Sequence, residues 1–398
     1  MKIRLRRSFA TSAAVIAAWM TVNPVAASTF EKCVAGLRVE VLKAGIKPDI
    51  VNAAFRDIKF DEKAVRFSRT QPEYRWAIWD YMASLVDDVR IADGLRMMKI
   101  HQQILRDVEK AFGVDRFILA ALWGVESDYG KEMGEFFLPH ALANGVCAGR
   151  KAAVFKTELM QVLRIAAAGN VKLEDLRGSW AGAFGQTQFI PSTYRRLAVD
   201  FDGDGRKDTI HSIPDTLASA ANFLQKAGWQ PGVRWGFEVS VPRSYAGPIG
   251  RAKKAAISHW AKQGISRADG SLMPKSGLFA LIMPAGRFGP AFLVSRNFDV
   301  LYSYNAAESY ALAISHLSDR LDGRGPFKIA WPTDDPGLTR AQRKRLQQLL
   351  IDWGYYKGEA DGRVGHLTVA AIRQAERKVG LKPIGRPGTR ILKVLTGK

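Results

Sequence analysis

Glu126 sits near the end of Phe117-Ile-Leu-Ala-Ala-Leu-Trp-Gly-Val-Glu-Ser-Asp-Tyr-Gly130, where nearly everything before it is apolar. A run that continuous suits a helix buried on all sides better than one with a wet face. Asp115 is suited to the N-cap and Gly130 to the stop. The sequence therefore predicts a helix that carries a carboxyl at its far end. Such a carboxyl serves in one of two ways. It is a structural glutamate, paired with an arginine or capping a neighbouring helix, or it is a general acid that desolvation keeps protonated near neutral pH. Asp128 follows by two residues and so faces away from it on a helix. No other acid in the chain has a comparable setting.

The second stretch able to do chemistry is Gly178-Ser-Trp-Ala-Gly-Ala-Phe-Gly-Gln-Thr-Gln-Phe-Ile-Pro-Ser-Thr-Tyr194. Its glycines and alanines let backbone approach backbone or ligand closely. Ser179, Gln186 and Gln188 offer neutral hydrogen-bonding groups, and Trp180, Phe189 and Tyr194 offer flat apolar faces. Neutral polar groups beside aromatic rings suit a sugar; a tight helix–helix connection is the other reading. No phosphate-loop lysine follows, which disfavours a nucleotide. A third stretch, Asp200-Phe-Asp-Gly-Asp-Gly-Arg-Lys-Asp208, places carboxylates at positions 1, 3, 5 and 9 of a loop with glycine at 6. That is the spacing of an EF-hand loop, but position 12 is His211 and the usual bidentate glutamate is missing. Asp215, four residues further on, can close the shell; an Asx-rich turn without metal is the alternative.

Together these motifs resemble the lytic murein transglycosylases of the B type. The match runs through Gly-Val-Glu-Ser-Asp-Tyr-Gly, Gly-Ser-Trp-Ala-Gly-Ala-Phe-Gly-Gln-Thr-Gln-Phe-Ile-Pro-Ser, the Asp200 loop, Trp229 to Trp235 and Asn297-Phe-Asp-Val-Leu-Tyr-Ser-Tyr-Asn305. It covers most of residues 30–320, with the motifs in the family's order. The resemblance implies a mainly α, lysozyme-like catalytic domain that cuts the MurNAc–GlcNAc β-1,4 bond of peptidoglycan and leaves 1,6-anhydro-MurNAc ends. Glu126 would be the sole catalytic acid and base, and Ser179, Gln188, Phe189, Asn305 and Tyr310 would line the glycan site. It also favours a structural calcium on Asp200, Asp202, Asp204, the Arg206 carbonyl and Asp215, with Asp208 as the alternative closing ligand. No cofactor is expected for catalysis. Ala307 departs from the serine common in the family after Tyr-Asn-x, which touches a secondary contact only. A lysozyme-like hydrolase and a non-catalytic wall-binding protein are the competing functions.

The surrounding chain must hold these groups. Lys2, Arg4, Arg6 and Arg7, the apolar Ala13–Met20 and the small residues Val25-Ala-Ala27 read as a signal peptide over 1–27, with a membrane anchor as the competing reading. The expectation is an exported, periplasmic protein with no stable membrane span in the mature chain. The formal charge of +21 favours anionic partners. Export and the lack of zinc or RNA-binding motifs exclude nucleic acid, whereas glycan strands bearing carboxylated peptides fit both charge and compartment. Protein partners from the wall-synthesis or secretion machinery are compatible with the same compartment. Cys33 and Cys147, an even pair in an oxidising compartment, are expected to be bridged.

Helices are expected over Phe30–Ala44, from Tyr74 through Met82, over Asp93–Phe112 as one long element, and over Ala152–Ala168. From Trp229 to about Asn297 the pattern changes: Gly236–Pro242 alternates, and Leu278–Met283 and Ala291–Ser295 are short β-like runs, which together read as a small strand-rich insertion. Arg251-Ala-Lys-Lys254 within it reads as a solvated helix face. Helix returns from Ala306 to Leu321, with Tyr304-Asn305 at its threshold. The catalytic domain is read over 28–325, a Pro- and Gly-punctuated linker over 326–335, and a second domain over 336–398. That last part, with helices at Leu338–Gly354, Leu367–Val379 and Gly388–Leu395, resembles a three-helix peptidoglycan-binding module. Leu349, Leu350, Ile351 and Trp353 are expected to form most of its core. Ala375-Glu376 replaces the usual Phe-Gln of that module and weakens the expectation of glycan binding. No residue in it has the setting of a catalytic acid, so a truncation near residue 330 is expected to keep cleavage of soluble glycans.

Overall fold

A computed structural model of the chain describes residues 24–69, 77–149 and 151–397. The leader read over 1–27 lies, as far as residue 23, outside the described residues, as does the start of the helix expected from Tyr74. The chain opens with α1 (Pro24–Lys43), α2 (Pro48–Ala54), α3 (Glu62–Arg69), α4 (Ile78–Leu85), α5 (Asp88–Ile100), α6 (Gln102–Phe112) and α7 (Arg116–Ser127). Strand β1 (Phe136–Phe137) leads to α8 (Leu138–Ala148) and α9 (Ala152–Ala167), then to strand β2 (Arg177–Gly178), α10 (Pro191–Leu197) and α11 (Ile213–Lys226). The strand-rich part holds β3 (Gly236–Ser240), β4 (Ala255–Ala256), α12 (Ile257–Lys262), β5 (Ser266–Arg267), β6 (Leu278–Ile282) and β7 (Ala291–Val294). Helices α13 (Arg296–Asn305) and α14 (Glu308–Leu321) complete the large domain, and α15 (Arg340–Asp352), α16 (His366–Lys378) and α17 (Thr389–Leu395) form the small one.

Helix α7 is the axis of the main core. Asp115 caps it by accepting the Phe117 N–H at 2.7 Å. Ile118 through Gly124 are all buried, as a helix apolar all round requires. They pack among Leu105 and Val108 of α6, Leu217 and Leu224 of α11, and Ile314 and Leu317 of α14. Each such side chain contributes about 1.5–3 kcal/mol on burial. The stop is not Gly130. Asp128 is the C-cap, in the left-handed region at φ 52°. The long helix expected over 93–112 is likewise two, broken at His101, whose φ of −104° and ψ of 27° end α5 and start α6. The His101 ring lies edge-on to Trp123 at 5.6 Å, so tertiary packing supplies the break.

A second core joins α1, α2, α8 and α9 to Phe184 and Phe189 of the glycine-rich loop and Tyr194 of α10. A Cys33–Cys147 disulfide ties α1 to α8 across it. The insertion is a five-stranded antiparallel sheet in the order β4-β6-β7-β3-β5, with Phe237 opposite Leu293 and Ala280 opposite Val294. Alternation along β6 and β7 explains their unbroken apolar sequences. Ala280, Ile282, Phe292 and Val294 face the main core, while Phe279, Leu281, Ala291 and Leu293 face a separate core with Trp260. Residues 251–254 are not a helix, and only Ala252 and Lys253 are solvated. The Arg251 guanidinium stacks 3.7 Å from the Tyr302 ring centre and binds Asp299 at 3.1 Å, and Lys254 reaches the same carboxylate at 2.9 Å.

The small domain has its own core of Leu338, Leu346, Leu349, Leu350, Ile372, Ile391 and Leu395. Ile351 is only half-buried and Trp353 is 44% exposed, so neither fills the core role expected of it. Thr339 and Gln342 form a capping box at the start of α15. The domain sits against α4, α5 and the end of α7 through ion pairs. Arg386 meets Asp80 at 2.5 Å, Arg363 meets Glu132 at 2.5 Å, and Arg340 meets Asp128 at 2.9 Å. A groove of about 1420 Å³ runs along this seam.

Candidate active site

Three segments converge on Glu126. The first is the last turn of α7, which presents the half-buried Glu126 carboxyl. The second is the junction of α13 and α14, where Ala306 takes a left-handed φ of 46° and turns the chain sharply after Asn305. That turn places Tyr310, 2% exposed, so that its hydroxyl donates to Glu126 Oε1. Burial, with the Glu126 charge adding to it, pushes the Tyr310 hydroxyl well up. It therefore remains a donor at neutral pH. Tyr304 stacks nearly parallel to Tyr310 at 6.2 Å and donates to the Thr187 carbonyl at 2.7 Å. Its hydroxyl is raised for the same reasons.

The third segment is the loop after β2. Its turns need small residues: a Cβ on Gly178 would lie 2.1 Å from the Ala183 carbonyl oxygen. Ser179 closes the first turn, its N–H donating to Ala183 O at 2.7 Å and its Oγ accepting the Ala183 N–H at 3.0 Å. Gln188 holds a left-handed φ of 51°, and its amide nitrogen donates to the carbonyls of Met133 (3.0 Å) and Gly185 (2.9 Å). Gln186 fastens the loop to α7: Trp123 Nε1 donates to its Oε1 at 2.8 Å and Ser127 Oγ to its carbonyl at 2.6 Å. Gln186 is thus a buried brace and not a group for a ligand. Tyr194 is equally buried and donates to the Lys207 carbonyl. Trp180 leans on Phe155.

Of the residues singled out by sequence, Glu126 and Tyr310 touch. Phe189, 2% exposed, lies beneath Tyr304 at 5.9 Å and supports it instead of offering an open face. Asn305 ends α13, half-buried beside Tyr304, and Ser179 and Gln188 stand in the loop, half-buried. Tyr304 is the member that sequence reasoning left out; its place between Tyr310 and Phe189 makes it the hinge between junction and loop. The pair Tyr304-Asn305, an aromatic beside an amide at a helix end, was the only signal for it.

Asp128, the neighbouring acid, is withdrawn from the site. It is 4% exposed and bound by Arg90 at 3.3 Å, by both Arg340 terminal nitrogens at 2.9 and 3.0 Å, and by Lys131 at 3.8 Å. Burial works against its charge, but these cations outweigh it and hold the carboxyl below the usual range.

In the 200–215 loop, Asp200, Asp202 and Asp204 bring ligand oxygens within 4.8 Å of one another. Asp200 accepts the Gly203 and Gly205 N–H groups, and the Arg206 side chain pairs with Asp204 at 3.2 Å. Asp215 does not join the cluster. It is fully buried, with Oδ1 on the Phe201 N–H (2.7 Å) and Oδ2 on the Asp208 N–H (2.8 Å), so backbone donors occupy the carboxylate expected to close the shell. Asp208 is similarly engaged by the N–H groups of Ile210 and His211.

A family model for the transglycosylase SLT domain matches residues 29–319, and one for a peptidoglycan binding domain matches 339–395. Membrane-bound lytic murein transglycosylase B of Escherichia coli (strain K12) is 28% identical over 241 residues, 60% of this chain and 65% of that protein, so the aligned part spans less than two thirds of that relative. SltB3 from Pseudomonas aeruginosa, solved in complex with a NAG-anhNAM-pentapeptide and with a NAG-NAM-pentapeptide, has a TM-score of 0.74 and 36% identity, covering 92% of this chain and 99% of that one. Slt35 from Escherichia coli, solved in complex with calcium, shares the fold at a TM-score of 0.63 and 24% identity, covering 74% and 92%.

Proposed function

The chain belongs to the transglycosylase SLT family, and from that premise we propose that it is an exported lytic transglycosylase that cuts the MurNAc–GlcNAc β-1,4 bond of peptidoglycan in the periplasm. The observation that carries the reading is the setting of Glu126: Tyr310 holds its carboxyl, while the neighbouring acid Asp128 is locked among three cations. With Asp128 so engaged, the reaction draws its nucleophile from the substrate.

Glu126 then gives its proton to the glycosidic oxygen as the C1–O bond breaks. The N-acetyl carbonyl of MurNAc closes on C1 and takes up the developing charge. Glu126, now a carboxylate, removes the proton of the 6-hydroxyl, whose oxygen displaces the acetamide from C1 and leaves the 1,6-anhydro ring. No water enters the balance. Tyr310 holds the carboxyl through its hydrogen bond to Oε1. Ser179 Oγ, already accepting from the backbone, keeps its own proton for the sugar or its acetamide. Gln188 and Asn305 are assigned to the glycan, and Phe189 acts beneath Tyr304. The anhydro sugar held by SltB3 is the kind of product this scheme requires.

The 200–215 loop fits a hard divalent cation, because three carboxylates already converge there. Asp200, Asp202 and Asp204 would hold calcium with the Arg206 carbonyl, a charge-neutralising role in folding and none in bond cleavage. The small domain is assigned to wall binding.

Mass spectrometry of muropeptides released from purified sacculi tests the reading. Anhydro ends support it, reducing MurNAc ends indicate a hydrolase, and no release indicates a binding protein. Glu126→Gln keeps the shape and removes the proton, so turnover should fall by about 10³-fold or more while glycan binding survives. Near-normal turnover in the folded variant would falsify the assignment.

A further inference from the structure

The turn that follows Glu126 is unusual: Asp128, Tyr129 and Gly130 are left-handed in succession, at φ 52°, 62° and 85°. Left-handed backbone is unfavourable for residues with a Cβ, and two such residues in a row persist only where side chains hold them. Here Tyr129 is held by its buried ring against Trp123 and by its hydroxyl on the Arg90 carbonyl at 3.0 Å. Gly130 N–H donates to Ser127 Oγ at 2.9 Å. Asp128 is held by guanidinium groups from two domains. Arg90 belongs to α5 and is spent partly on the carbonyls of Ser84 and Leu85. Arg340, at the first turn of α15 in the small domain, gives Asp128 the bidentate contact, and its own N–H points to Asp87, the N-cap of α5, at 3.3 Å. The side chains of Asp128 and Arg340 are 4% and 17% exposed, so water does little to screen the pair.

We infer that Arg340 of the wall-binding domain is a positioning residue for Glu126, holding the strained turn that ends the α7 helix. This rests on Glu126 being the acid of the reaction. The carboxyl lies one residue before Ser127 and two before Asp128, so a turn that relaxes toward ordinary backbone moves Glu126 relative to Tyr310. Displacements of about 1 Å in a reacting group can cost on the order of 10²-fold in rate. The small domain thereby acts on turnover through one ion pair, although it touches no reacting atom. The independence expected of it from sequence is replaced by a mechanical link.

The test uses the full chain, with peptide-free soluble glycan strands as substrate so that wall binding does not enter. Arg340→Ala should lower kcat about tenfold or more with KM within about twofold. Arg340→Lys, which keeps the charge but not the planar fork, should recover part of the loss. In a double-mutant cycle, adding Arg340→Ala to Asp128→Asn should cost little beyond Asp128→Asn alone. A folded Arg340→Ala protein with wild-type kcat, or one in which only KM rises, overturns the inference. Should Arg340→Ala fail to fold, Arg340→Lys decides it: lower kcat at unchanged KM supports the link, and wild-type kcat refutes it. A Glu126→Gln control that cleaves as well as wild type would instead strike the reading of Glu126, separately from any result at Arg340.

Discussion

Removing one oxygen from Tyr310 is the sharpest probe of the cleft. In Tyr310→Phe the ring stays buried against Tyr304, and only the hydroxyl that donates to Glu126 Oε1 is lost. Hydrogen bonds to neutral partners net about 1 kcal/mol and those to charged groups about 1.5–3 kcal/mol. Glu126 passes from acid to carboxylate along the reaction, so the bond strengthens by about 0.5–2 kcal/mol toward the transition state. At about 1.4 kcal/mol per decade, its loss should lower kcat about two- to thirtyfold and leave KM nearly unchanged. The assay is steady-state release of anhydro-ended fragments from soluble glycan strands, read by chromatography and mass spectrometry. A folded Tyr310→Phe enzyme with wild-type kcat would refute the idea that Tyr310 stabilises the charged form. A rise in KM alone would make Tyr310 a glycan contact instead.

Two other outcomes follow from groups outside the cleft. His316 is buried, stacked on Phe327 at 3.8 Å, and burial with Arg320 nearby holds its pKa at about 3. Its folded pKa is below the unfolded value, so the stability it contributes is full above about pH 6.5 and is lost as pH falls toward 3; at pH 4.5 the loss is about 3 kcal/mol. Urea unfolding at pH 7.5 and 4.5 should show that difference in wild type and not in His316→Leu, and equal pH dependence in the two would exclude it. Calcium added to the chelated protein at about a hundredfold above its Kd should contribute about 2.7 kcal/mol and raise Tm by several degrees. Asp202→Asn combined with Asp204→Asn should abolish the rise, and a Tm indifferent to calcium in the wild type would remove the metal from the loop.

What could be read in the sequence was local. The Asp115 cap, the apolar run behind Glu126 and the small residues of 178–185 each act within a few positions, so residue types alone announce them. The five-stranded insertion was readable at β3, through its alternation, and at β6 and β7, through apolar runs of four or five residues. It was not readable at β4 and β5, which hold two residues each. Burial of individual loop side chains was beyond reach. Gln186 and Gln188 are two residues apart with the same amide, yet one braces Trp123 and the other holds the carbonyls of Met133 and Gly185. Spacing does not tell which side of an irregular loop faces protein. The same holds for Asp215: its position along the chain suits a metal ligand, and only the folded backbone shows the N–H groups that claim both oxygens.

The end of α7 shows why the larger misreading occurred. Glycine is the cheapest left-handed residue, so Gly130 was the natural stop. Asp128 takes the role because charges from residues 90 and 340 gather on its side chain, and those partners lie 38 and 212 positions away. Propensity prices a conformation for an isolated chain; two guanidiniums on one buried carboxylate can exceed that price by more than the left-handed penalty of about 1–2 kcal/mol. A stop moved two residues earlier is therefore a trace, in backbone geometry, of the small domain bearing on the turn beside Glu126. Loosening the contact by salt should have little effect, because the pair is buried and screening acts mainly on exposed charges. Removing the guanidinium should have a large one.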